Sequence, residues 1–232
     1  MTTESVLLAQ EGPRFFDAYL SNPVAGSGDR KPAILILSEM FGINGPMRAL
    51  ADGWAARGHV AMVPNVFWRS EVTSTQGYDN PERQVAFDRL KTFDFQQIPL
   101  DLKLAVARLR ASPACSGKVV AVGFCAGGTL AWLAAARSDV DAAAAFYALG
   151  IGDFLADAPS IRVPVQLHYG RTDPHVPMAE IDKVLGATRG HASVVPHLYE
   201  AGHSFFNSVR PTYDAAAAKL AGERLDALVA SL

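Results

Sequence analysis

The run 119–136 carries no charged residue, yet Gly123, Gly127 and Gly128 divide it. Its length approaches the roughly 20 apolar residues that a bilayer-spanning helix needs, but glycines in the middle of such a helix argue against one. A strand, a tight turn and a helix account for the run better. A strand with apolar side chains in continuous succession must be buried on both faces, and a helix directly after it must pack back over the sheet.

The rest of the chain repeats that grammar. Residues 33–38 (AILILS) form a second continuous apolar run, and 60–63 a third, ended by Pro64. Between them Met47, Leu50, Ala51, Trp54 and Ala55 recur at helical spacing behind Pro46, with Gly58 as a stop. Leu102, Val106 and Leu109 mark a helix that stops at Ser112-Pro113. Strands are predicted at 118–124, 142–147, 163–169 and 194–199, and helices at 126–137, 178–189 and 211–231. Gly12-Pro13, flanked by residues 6–9 and 15–20, predicts an N-terminal hairpin. The polar stretch 68–83 is expected to be a long surface loop. Strands alternating with helices predict an α/β fold with a mostly parallel central sheet and helices on both faces. The chain has 232 residues, half of them hydrophobic, which suits one domain over 1–232 with a sizeable core.

Charge narrows the function classes. Twenty-one Lys and Arg stand against 23 Asp and Glu, without a basic cluster, so nucleic-acid binding is disfavoured. The first ten residues hold an early acid and no long apolar segment, so no signal peptide is expected, and a membrane is not among the expected partners. Cys115 and Cys125 flank a predicted strand that would hold them about 20 Å apart, well beyond disulfide reach. Free thiols point to a reducing compartment, and a cytoplasmic location is expected. No H-E-x-x-H or paired C-x-x-C occurs, so no metal site is expected. The oligomeric expectation is a monomer, with a dimer as the alternative.

Chemistry concentrates in Gly123-Phe124-Cys125-Ala126-Gly127-Gly128, between a predicted strand and helix. A nucleophile elbow needs small neighbours because its turn is tight. The following helix points its positive end at the sulfur, and the Ala126 amide can face an oxyanion. The bland alternative is a buried structural cysteine beside packing glycines. An elbow predicts an acid and then a histidine on later strand ends. Asp173 follows the strand ending His168-Tyr169-Gly170, and His203 follows the one ending at Tyr199. Both would lie at the carboxyl edge of the sheet, where α/β folds build their sites. His175 lies close to Asp173 but comes too early for the base position. Glu39, after the strand 33–38, is either an ordinary loop acid or a carboxylate over the same edge.

Taken in order, Glu39-Met40-Phe41-Gly42, the cysteine elbow, Asp173 and Gly202-His203-Ser204-Phe205 resemble the dienelactone hydrolase family of the α/β-hydrolase superfamily, from about residue 10 to the end. The resemblance implies a lactone- or ester-opening hydrolase that needs no cofactor. It assigns a triad to Cys125, His203 and Asp173, and makes Glu39 the group that helps deprotonate the thiol when substrate arrives. It implies an oxyanion hole from the amides of Met40 and Ala126. Family members also grip a substrate carboxylate with two arginines. Arg83 matches one, but the second falls on Asn207, with Arg210 near enough in sequence to substitute. Ser204, Asn207 and Arg83 are the expected substrate-binding residues. A broader carboxylesterase or thioesterase and a non-catalytic binding protein on the same fold remain as alternatives.

Overall fold

A computed structural model describes residues 1–24, 26 and 29–232. The chain forms two compact units, Met1–Val119 and Val120–Leu232. In the first, strands β1 (Thr2–Glu11) and β2 (Arg14–Asn22) make the expected antiparallel hairpin around Gly12. Strand β2 pairs antiparallel with β4 (Ala61–Pro64), and β4 pairs parallel with β3 (Lys31–Leu37). Residues 33–37 are fully buried, as their continuous apolar run requires. Helix α1 (Gly45–Ala56) starts one residue before Pro46, because the Asn44 side chain accepts the Met47 N–H and caps it. Helix α3 (Ile98–Arg110) buries Leu102, Ala105, Val106 and Leu109. The expected loop 68–83 gives way at its end to helix α2 (Glu82–Lys91), which the sequence pattern did not reveal.

Strand β5 (Cys115–Phe124) opens three residues earlier than predicted, so Cys115 is its first residue rather than a loop residue. In the second unit β5, β6 (Ala142–Phe146), β7 (Val165–Gly170) and β8 (Val194–Tyr199) pair in that order, all parallel. Register aligns Phe124 with Phe146, Phe146 with His168, and Gly170 with Tyr199. The connections leaving these strands therefore issue from one edge. Helix α4 (Ala126–Arg137) follows β5 after a single residue, and nine of its first ten residues are apolar or glycine, with Thr129 the exception. A 3₁₀ segment, Ile151–Ser160, also went unforeseen. Helix α5 (Met178–Ala187) lies within its predicted span. Helix α6 (Ala215–Ala230) starts after Asp214, whose side chain takes the Ala217 N–H, not at Pro211. Among the described residues no helix is long and apolar enough to cross a membrane.

Candidate active site

Cys125 is the one residue between β5 and α4, and it turns the chain with φ 56° and ψ −118°. A side chain at positive φ is costly, and the surroundings hold it there. The Cys125 N–H donates to the Phe146 carbonyl at 3.0 Å, and the Cys125 carbonyl accepts Gly128 N–H at 3.0 Å. The glycines are required by contact: a Cβ on Gly123 would meet the Gly127 carbonyl oxygen at 1.9 Å, and one on Gly128 would meet Ala148 at 2.7 Å. The thiol sits at the amino end of α4, whose first amides lack helical acceptors and carry the positive end of the dipole.

Asp173 and His203 come from neighbouring strand ends that the main chain laces together. Arg171 N–H donates to the Tyr199 carbonyl at 2.8 Å, and Thr172 N–H to the Ala201 carbonyl at 3.2 Å. Gly170 is required where they cross, since a Cβ there would stand 2.2 Å from the Ala201 oxygen. The Asp173 carboxylate is buried and fully directed. Its Oδ1 accepts the N–H groups of His175 (2.7 Å) and Val176 (3.2 Å), and its Oδ2 meets His203 Nδ1 at 2.7 Å. The Cys125 side chain acts on the same imidazole and strengthens its hold on a proton. Asp173 and His203 thus form a hydrogen-bonded pair, and Cys125 acts on it, all inside the second unit.

Burial pulls the His203 imidazole down, but its hydrogen bonds to Asp173 and Cys125, with their charges, prevail and push it up to about 10. Relative to 6.5 for an ordinary histidine, the folded chain holds an extra proton between pH 6.5 and 10. The stability this contributes is complete below 6.5 and is lost as pH rises through about 10. The urea midpoint of the wild type is expected to fall across that window more steeply than that of His203→Gln. Parallel slopes in pH-resolved equilibrium unfolding would contradict it.

Two aromatic neighbours of the imidazole were not anticipated. Tyr147, one residue past β6 at φ 38°, sets its ring 5.0 Å from His203, nearly edge-on. Its position directly after the strand between β5 and β7 is the topological signal that would have found it. His175, passed over as a base, places its ring 4.9 Å from His203 and donates its N–H to Asp173. The two-residue spacing from Asp173 was the available clue.

Ser204 follows the histidine at φ 61° and is buried. Asn207 is buried too, and its Oδ1 accepts the Val209 N–H at 3.3 Å, which builds the amide into the turn. Arg210 is half-buried, and its N–H donates to the Asn207 carbonyl. In the first unit Glu39 follows β3 and is 2% exposed, and Met40 is half-buried beside it. Arg83 lies exposed in the first turn of α2. Among the described residues no group of three or more His, Cys, Asp or Glu is placed to hold a metal ion.

The dienelactone hydrolase family model matches residues 16–231. The chain is 32% identical over 226 residues to a carboxymethylenebutenolidase of Pseudomonas putida, covering 97% of this chain and 94% of that protein. It is 31% identical to carboxymethylenebutenolidase 1 of Cupriavidus pinatubonensis, covering 100% of this chain and 98% of that one. Among solved structures, a dienelactone hydrolase-like promiscuous phosphotriesterase from metagenomic libraries superposes with a TM-score of 0.80 at 22% identity, covering 100% and 98% of the two chains.

Proposed function

We propose that this chain, which belongs to the dienelactone hydrolase family and is a hydrolase with its α/β-hydrolase fold, opens a lactone or small carboxylic ester by covalent catalysis at Cys125. The observation that carries the reading is the buried His203–Asp173 pair in the same unit as Cys125 at its strained turn. The relatives' name, carboxymethylenebutenolidase, supports a lactone bearing a carboxylate as substrate.

In the first half-reaction the Cys125 thiolate attacks the carbonyl carbon, and the carbonyl electron pair moves onto oxygen. The Ala126 amide, at the start of α4, is one donor for that oxyanion. The Met40 amide is the second, carried over from the matching Glu39-Met40-Phe41-Gly42 segment, as is the role of Glu39 in drawing off the thiol proton. Collapse re-forms the carbonyl as a thioester, breaks the ester C–O bond and passes a proton from His203 to the departing oxygen. His203 then takes a proton from water, hydroxide adds to the thioester, and the thiolate leaves with the acid formed. Asp173 fixes the imidazole with Nε2 toward the sulfur and stabilises its charged form.

A screen of purified protein over dienelactones, simple lactones and p-nitrophenyl esters tests the reading. Turnover of none of them would overturn it. Asn207 marks where the substrate range widens, because a neutral amide committed to its own turn does not neutralise a carboxylate. Selectivity for acidic over neutral lactones is therefore expected to be weak in the wild type. It should rise about ten- to hundredfold in Asn207→Arg, the worth of one charge-assisted contact. Equal kcat/KM ratios in the two proteins would refute this.

A further inference from the structure

Arg89 lies on α2 with only 5% of its surface exposed. Its guanidinium is spent on main-chain carbonyls. Nη1 donates to Val72 at 3.1 Å and Ser74 at 2.8 Å, and Nη2 donates to the carbonyl of Met40. The group also rests over the Phe67 ring, 3.8 Å from its centroid, while its Nε is buried without a partner. Burial pulls Arg89 down to about 10, so it remains charged at neutral pH. Stability alone does not select such a residue, since well-packed apolar side chains often replace buried charges without loss. What an apolar residue cannot do is tie three carbonyls from two segments to one helix.

The tied segment is the turn that carries Met40. Gly42 N–H donates to the Glu39 carbonyl at 3.2 Å, and that carbonyl shares a peptide plane with the Met40 N–H. Gln76 N–H holds the Phe41 carbonyl at 2.9 Å. Arg89 closes the set by gripping the carbonyl in between. With the peptide planes on both sides of the Met40 Cα pinned, the direction of its N–H is fixed before any ligand arrives.

We propose that Arg89 is a positioning residue, which holds the Met40 peptide and the direction of its N–H in one orientation for its part as an oxyanion donor. The proposal rests on the reading of Met40 as an oxyanion donor. Its test compares two reactions at the same sulfur. Acylation of Cys125 by p-nitrophenyl acetate builds negative charge on a carbonyl oxygen; alkylation by iodoacetamide is a direct displacement at carbon and builds none there.

Rates are taken on the full chain and normalised to titrated Cys125 thiol. In Arg89→Met, acylation is expected to slow about 10- to 100-fold, mainly in kcat, while alkylation stays within about twofold of wild type. Arg89→Lys, whose ammonium spans fewer carbonyls, should fall between. If Arg89→Met does not fold, Arg89→Lys carries the same comparison. Unchanged acylation, or equal loss of acylation and alkylation, overturns the positioning role. A wild-type protein that alkylates but never acylates would instead overturn the proposed function.

Discussion

Replacing Cys125 with alanine is expected to lower ester or lactone turnover by about 10⁴-fold or more, the scale lost when a covalent nucleophile is removed. The protein should keep its fold, because alanine removes one atom and adds none. Cys115 is the internal control. It is fully buried at the start of β5, with Sγ between the Lys118 carbonyl (3.4 Å) and the Gly117 N–H (3.3 Å). Cys115→Ala should turn over like wild type and be inactivated by iodoacetamide at the wild-type rate. Steady-state kinetics on the two variants decide the matter, and activity retained in Cys125→Ala would sink the covalent mechanism.

The second large effect concerns Asp173. In Asp173→Asn, the Oδ1 position can still accept the His175 and Val176 amides, which leaves the amide nitrogen facing His203 Nδ1. Two N–H groups cannot face each other, so the imidazole must move its proton to Nε2. There it can no longer take one from water or thiol. A kcat loss of roughly 10³- to 10⁴-fold is expected. Adding it to His203→Ala should cost almost nothing further, since residues acting as one unit are not additive. Multiplying penalties in the double variant would give Asp173 a separate role.

How much of this was legible in the sequence depended on whether a residue followed its own chemistry. Continuous apolar runs located β3 and β4, because strands buried on both faces need them. The glycines around Cys125 located the elbow, because its backbone admits little else. Helix α2 was missed for the opposite reason: it inverts the pattern, with Phe87 exposed and Arg89 buried. A hydrophobic periodicity cannot register a helix whose inward face carries a guanidinium. Cys125, Asp173 and His203 could be named as candidates from motif and chain order. The Tyr147 and His175 contacts left only slight traces, a place directly after a strand and a two-residue spacing from Asp173, since ring packing around His203 depends on strand register that the folded chain supplies.

The backbone at Cys125 also restricts what this position can inherit. At φ 56° a β-branched side chain is a severe outlier, whereas cysteine and serine each carry a single heavy atom beyond Cβ. A descendant of this chain can therefore exchange sulfur for oxygen by way of serine, and change its leaving-group chemistry in doing so, without rebuilding the turn. Threonine, chemically the nearest hydroxyl after serine, lies across a steric divide. The turn thus acts as a filter on lineage: it leaves the side-chain heteroatom open to drift and closes the branching of the carbon that bears it.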